Sequence, residues 1–189
     1  MVAFTRDVLA QDRVRLIGVC FGHQIIGRAM GVKVDRSDRG WEVSVTAVRL
    51  TGKGRKLFGV EELVSSFSMF SLYLIRWEYY NRSSADTEVL SLKAIHQMHR
   101  DIVYAYPDGV EHLGHSPRCE VQGMYAPRRL ISVQGHPEFN GEIVAELLEN
   151  RHDKGIFDDA MYRDGMSRVR KHHDGVAVGA AFVRFLLEE

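Results

Sequence analysis

Apolar residues over positions 14–19, with Arg15 inside the run, end at Cys20, Phe21 and Gly22, after which Ile25, Ile26, Ala29 and Met30 recur at helical spacing. This pattern predicts a strand, a tight turn and a helix with Cys20 at the apex. Ahead of it, apolar positions within residues 2–11 predict a short helix. Gly31 stops the helix after the turn, and residues 32–34 read as a strand. Gly40 and Trp41 then open an alternating run, Val43, Val45, Ala47 or Val48, and Leu50, which is a half-buried strand turned by residues 51–54. Further on, residues 110–113 and 119–125 alternate like strands of a hairpin-rich segment. Residues 131–134 form another short apolar strand that runs into Gly135-His136-Pro137. Asn140 is placed to cap a helix whose stripe is Ile143, Val144, Leu147 and Leu148. Residues 158–170 predict a more polar helix. Residues 176–187 are apolar nearly all round and should pack against a sheet. Two strands each followed by a helix predict an α/β fold with three layers: a mostly parallel central sheet and flanking helices.

One stretch fits no period. Residues 64–82 crowd Phe67, Phe70, Tyr73, Trp77, Tyr79 and Tyr80 among serines and an arginine. The segment is too short and too interrupted to span a bilayer, which takes about 20 apolar residues. It reads as an insertion, and Val64-Ser65 and Asn81-Arg82 can be encoded with splice-like ends, as expected of a translated intervening sequence. An interaction helix or membrane-touching loop is the competing reading.

The chain of 189 residues has 45% hydrophobic content, enough for a single domain over residues 1–189. Its 25 basic and 25 acidic residues cancel, which argues against a nucleic-acid partner or an anionic membrane. Two cysteines, Cys20 and Cys119, do not make a disulfide scaffold, and a free thiol at the turn suits a reducing compartment. The N-terminus carries an early acid and no apolar core of the signal-peptide kind, so the expected location is cytoplasmic.

Chemistry changes the picture at two places. A residue on a strained strand-to-helix turn stands clear of the sheet, and the following helix offers unpaired N–H groups and a positive dipole end, which favour a thiolate. Gly18 and Gly22, two residues either side of Cys20, let the chain turn. A nucleophilic cysteine needs a base, and the base needs an acceptor on its other ring nitrogen. His136 and Glu138, two apart across a rigid proline, can supply both. Each feature alone has a plainer reading, a buried structural Cys and a solvated His in a turn.

Together, Cys20-Phe21-Gly22-His23-Gln24 and Gln134-Gly135-His136-Pro137-Glu138 resemble the class I glutamine amidotransferase family, an α/β fold of flavodoxin-like layering with a Cys-His-Glu triad. The resemblance implies a Cys-dependent γ-glutamyl amide hydrolase or amidotransferase in which Cys20 is the nucleophile, His136 the general base and acid, and Glu138 the orienting carboxylate. It implies substrate-binding roles for Phe21, Gly22 and Gln24, with the Phe21 N–H as half of the oxyanion hole and Gln24 helping to hold the substrate glutamine. His99 and Asp101 would lie at the cleft rim, and Gln122 would line the cleft. His99-Arg100-Asp101, residues 116–120, residues 155–159 and Gly40-Trp41-Glu42 resemble the stand-alone, GMP-synthase-like members that carry no synthase domain. The family's domain begins with more strands, and an early loop there gives a second oxyanion donor. No Gly-rich loop precedes Cys20 here, and loss of such a donor typically costs about 10²–10³ in rate.

Three functions follow as alternatives: hydrolysis of glutamine through a γ-glutamyl thioester, a γ-glutamyl peptidase acting on peptides or conjugates, and an inactive or binding-only homologue. The expected partner is a small molecule, glutamine or a γ-glutamyl compound, with any synthase partner unspecified. No cofactor is implied. His96, His99 and Asp101 lack a further ligand at matching spacing, so no zinc site is expected. His172-His173-Asp174 reads as a solvated loop.

Overall fold

The structure, a computed structural model, describes residues 1–59 and 92–188. The stretch at 64–82 therefore lies outside the described residues. The elements in chain order are α1 (Val2–Leu9), β1 (Leu16–Val19), α2 (Phe21–Ala29), β2 (Val34–Arg36), β3 (Glu42–Leu50), α3 (Gly52–Leu57), β4 (Leu92–His99), β5 (Asp101–Val103), β6 (Glu111–His115), β7 (Gly123–Ala126), β8 (Leu130–Val133), α4 (Gly141–Asp153), α5 (Asp159–Arg168) and α6 (Gly175–Leu187).

The main sheet has the order β1-β8-β7-β6-β3-β4, and β2 and β5 form a separate antiparallel pair. β1 and β8 run parallel in the register Leu16↔Leu130 to Val19↔Val133. All four residues of β8 are buried, as expected of a strand covered on both faces. The architecture is the α/β arrangement that the alternation of strand and helix predicts. The sheet is mixed, and its parallel part among the described strands is the β1–β8 pair; β8–β7, β7–β6, β6–β3 and β3–β4 are antiparallel. The antiparallel pairs β6–β7 and β7–β8 join strands that follow one another in sequence through short connections, whereas the parallel β1–β8 pair is separated by most of the chain. Between β7 and β8 the chain turns through Pro127, Arg128 and Arg129, with Arg128 at φ 54° and the Arg129 N–H on the Ala126 carbonyl at 3.0 Å.

Three apolar clusters hold the layers. On one face Leu50, Leu113, Ile131 and Val133 meet Val178 and Phe185 of α6. On the other, Leu130 and Met124 meet Ile26 of α2. Leu130 and Ile131, adjacent in β8, thus serve opposite clusters, which is the strand's two-residue period at work. The third cluster joins Val43 and Met98 to Val144 and Leu148 of α4 and to Phe157. Asn140 caps α4 as expected, its Oδ1 accepting the Ile143 N–H at 2.9 Å. Asp158 caps α5 in the same way at 2.8 Å.

Two expectations need correction. α6 buries Val178, Ala181 and Phe185 but leaves Val176, Val183 and Leu187 exposed, so it packs with one face. The segment before it is only partly a solvated loop. His172 is exposed, but His173 is half-buried with its ring 4.7 Å from that of His96, and the Asp174 carboxylate accepts the Ala94 N–H at 2.8 Å. A backbone bond from Asp174 N to the Ala94 carbonyl completes the tie to β4.

Candidate active site

Cys20 caps α2 at φ 47° and ψ −99°, a conformation that costs an L-residue of order 1–3 kcal/mol and persists where its surroundings impose it. Its N–H is held by the Val133 carbonyl at 3.0 Å, which carries the β1–β8 ladder one step further, and its own carbonyl accepts the Gln24 N–H at 3.0 Å to start the helix. Gly18 is required by contact: a Cβ there would stand 2.7 Å from Ile26 Cδ1 and 3.0 Å from the backbone at Gly22 and His23. Gly22 is different. A Cβ at Gly22 would meet nothing within 4 Å, so the first turn of α2 faces open space beside the cysteine.

The Phe21 backbone N–H favours the Cys20 thiolate, and the Phe21 ring is exposed. This donor does not decide the thiol's acidity. Burial pushes the Cys20 thiol up to about 11, and the charges of Glu138 and Asp101 add to the rise, against the Phe21 N–H and the charge of Arg151. The thiolate expected from the helix N-terminus is therefore corrected to a resting thiol, because desolvation of the anion outweighs the local donor.

The parallel register that sets Val19 beside Val133 brings the chain after β8 alongside the elbow. Gln134, fully buried, donates from Nε2 to Cys20 Sγ at 3.7 Å. Two residues on, His136 Nδ1 lies 2.7 Å from Glu138 Oε1. A carboxylate can only accept, so Nδ1 carries the hydrogen and Nε2 is left as a base. The ring is fixed by stacking on Phe139, 3.9 Å between centroids and 3° from parallel, and the His136 N–H is held by the His96 carbonyl at 2.8 Å. α6 approaches closely here: a Cβ at Gly175 would lie 2.2 Å from the Pro137 carbonyl oxygen, so only glycine lets the helix start against this loop.

Gln24 is buried, its amide donating to the Asp101 carbonyl at 2.8 Å and to Gln134 Oε1 at 3.3 Å. His99 and Gln122 are buried as well, in a polar network behind the elbow rather than on an open rim. His99 Nδ1 lies 3.2 Å from the Asp101 carbonyl, which can only accept, so Nδ1 carries hydrogen. His99 Nε2 lies 3.1 Å from Glu42 Oε2, and that oxygen also accepts from Gln122 Nε2 at 2.8 Å. Gln122 in turn accepts from Gln97 at 2.9 Å. Asp101 is half-buried, with Arg36 Nε 3.9 Å from its carboxylate. These burials follow from the strand ladder: Glu42 pairs with His99 across β3 and β4, and inward-facing polar groups must find each other.

Three residues of note received no site role from the sequence. His23, in the first turn of α2, is fully buried between Ser132 Oγ at 2.9 Å and the Val121 carbonyl at 3.1 Å, and burial holds its pKa down to about 3. His96 is buried with neither ring nitrogen partnered among the described residues; burial and then the neighbouring His173 and His136 bring it down to about 4. Arg151, in the last turn of α4, has its guanidinium 5.8 Å from the ring centroid of Trp41 and 6.0 Å from that of Phe157, rings that meet edge to face at 5.2 Å. A cavity of about 610 Å³ opens between β3 and α5, along Trp41, Val45, Arg118, Asp158 and Asp164. It includes none of Cys20, His136 and Glu138, so size alone does not locate the chemistry.

Comparison with known proteins bears on this arrangement. A family model described as glutamine amidotransferase class-I matches residues 1–153. A glutamine amidotransferase-like protein of Schizosaccharomyces pombe is 32% identical over 189 residues, which is 100% of this chain and 64% of that protein. Gamma-glutamyl peptidase 2 of Arabidopsis thaliana is 26% identical over 157 residues, 83% of this chain and 53% of its own length. The chain thus spans between about half and two thirds of these relatives. A crystal structure of a glutamine amidotransferase from Thermotoga maritima superposes with a TM-score of 0.65 at 14% identity, covering 99% of this chain and 68% of that one, a likeness of fold. No described helix is long and apolar enough to cross a membrane. By the match of its family model and the identity to its relatives, the chain belongs to the class I glutamine amidotransferase family.

Proposed function

We propose that the protein hydrolyses the side-chain amide bond of a γ-glutamyl compound through a thioester on Cys20. The observation that carries this reading is the 2.7 Å bond between His136 Nδ1 and Glu138, on the chain that leaves β8 beside the Cys20 elbow. It leaves a basic nitrogen in the loop next to a thiol with an N–H donor at its side.

Because Cys20 rests as a thiol, its proton passes to His136 Nε2 as the sulfur adds to the carbonyl carbon. The oxyanion that forms takes a hydrogen bond from the Phe21 N–H at the positive end of α2. Open space above Gly22 gives the substrate room to reach both groups. The imidazolium, steadied by Glu138, returns the proton to the leaving nitrogen, and the C–N bond breaks to give ammonia or an amine. Water then adds to the thioester, losing its proton to His136, and glutamate leaves as the thiol is restored. Gln24 acts from behind by holding Gln134 and the Asp101 carbonyl in place.

The leaving group is either ammonia or an amino acid, and the relatives named gamma-glutamyl peptidases favour the second. Release of amine from glutamine and from γ-glutamyl dipeptides, measured side by side, tests both. We expect turnover of at least one class, lost in Cys20→Ala. A folded protein that turns over neither is the binding-only alternative.

A further inference from the structure

On the reading of the site just given, we propose that Arg151 sets substrate specificity, its guanidinium receiving the α-carboxylate of the γ-glutamyl unit whose side-chain carbonyl Cys20 attacks. The argument starts from an imbalance. Arg151 is half-buried and carries five N–H donors, yet among the described residues its side chain makes neither a hydrogen bond nor an ion pair; what it has are the faces of Trp41 and Phe157. Guanidinium groups withdrawn from water normally find a carboxylate. Two aromatic rings attract this one and supply no oxygen, so its donors are unspent.

Its place matters as much as its state. Trp41 and Phe157 pack in one apolar cluster with Phe139, whose ring stacks on that of His136 at 3.9 Å, so the guanidinium over them lies on the His136 side of the elbow. In keeping with that placement, the Arg151 charge is one of the influences favouring the Cys20 thiolate. The other charges that act on Cys20 are those of Glu138 and Asp101. Glu138 is engaged with His136, and Asp101 has Arg36 beside it. Among the described residues, Arg151 is thus the cation whose charge reaches Cys20. A γ-glutamyl unit bound with its side-chain carbonyl at Cys20 carries a carboxylate at its far end, the planar anion that an arginine fork takes bidentately.

The test separates this role from the proposed activity. Alkylation of Cys20 is followed with iodoacetate, which is anionic, and iodoacetamide, which is neutral, in the wild-type protein, Arg151→Gln and Arg151→Lys. A change in thiol acidity or a loosened fold alters both reagents alike, so their rate ratio reports anion recruitment alone. We expect the iodoacetate-to-iodoacetamide ratio to fall by about tenfold in Arg151→Gln and to be largely kept in Arg151→Lys. An unchanged ratio in Arg151→Gln overturns the proposal, whether or not any substrate is turned over.

Kinetics then identify the carboxylate. With a γ-glutamyl anilide, whose single carboxylate is the α one, Arg151→Gln should raise KM far more than it lowers kcat, and the α-carboxamide analogue should be as poor for the wild type as the anilide is for the variant. Equal use of acid and amide by the wild type, with discrimination appearing between γ-glutamylglycine and γ-glutamylglycinamide instead, would assign Arg151 to the leaving group and overturn the assignment to the α-carboxylate.

Discussion

Gln134 donates its side-chain amide to the Cys20 sulfur at 3.7 Å while accepting from Gln24 at 3.3 Å, so one buried side chain ties the nucleophile to the polar network behind it. Replacing it tests that tie. Gln134→Leu removes the donor to sulfur and leaves the Gln24 amide with Asp101 alone. We expect a loss of about 1–3 kcal/mol in stability and alkylation of Cys20 slowed by about tenfold at fixed pH, since a hydrogen bond to a charged group is worth about 1.5–3 kcal/mol. Urea unfolding and iodoacetamide kinetics measure the two effects. Unchanged alkylation would show that the Gln134 contact does not support the thiolate.

The resting thiol makes a prediction in pH. With the Cys20 thiol at about 11, the thiolate fraction grows about tenfold per pH unit below that value, so iodoacetamide alkylation should climb steadily through pH 7 to 9.5 without levelling. A plateau below pH 8 would contradict it. Glu138→Gln removes a negative charge that raises the thiol, so at pH 8 alkylation should quicken even as γ-glutamyl turnover falls, and a change of both in one direction would contradict the two roles given to Glu138.

Breaking the buried pair behind the elbow should be costly. Glu42→Ala leaves His99 Nε2 and Gln122 Nε2 facing a void, for about 3–5 kcal/mol, the usual cost of uncovering one half of a buried pair. Glu42→Gln keeps an acceptor oxygen and should cost about 1–2 kcal/mol. Denaturant midpoints at constant slope distinguish the two. Equal losses in both variants would mean that packing, not the hydrogen bonds, holds this layer.

Acid should weaken the fold through two buried histidines. His23 is held at about 3 and His96 at about 4, both below the ordinary 6.5 of the unfolded chain. Above pH 6.5 neither state binds these protons. Below it the unfolded chain takes them up while the folded protein does not, so stability falls as pH drops from 6.5 towards 4, and from His23 alone towards 3. The slope is at most about 1.4 kcal/mol per pH unit for each group. Thermal unfolding at pH 7, 5.5 and 4.5 should show it, with a shallower fall in His96→Asn. An identical fall in that variant would remove His96 from the account.

The elbow was legible because the period changes abruptly there, from a continuous apolar strand to helical spacing, at a small-residue turn. His136 and Glu138 were legible for a related reason, since a proline between them at a strand end fixes their separation. The residues around them were not. An arginine in a last helical turn is what any helix carries, and only the approach of Trp41 and Phe157 gives Arg151 its setting. The thiol's acidity was misjudged because the helix terminus is a local feature, whereas the burial and carboxylates that outweigh it come from distant segments. The ladder was also shorter than alternation suggested. Of residues 119–125, pairing begins at Gly123, because the Gln122 N–H goes to the Gly114 carbonyl where the β6–β7 register shifts.

The central claim is that Cys20 is the nucleophile of a γ-glutamyl site, and covalent labelling tests it most directly. The protein is incubated with a glutamine-derived chloroketone and the adduct is mapped by mass spectrometry, with Cys119, fully buried, as an internal control. The account predicts one adduct, on Cys20, protected by γ-glutamyl compounds and absent in Cys20→Ala. A folded protein that stays unlabelled at Cys20, or that is labelled there at the same rate with and without those compounds, would contradict it.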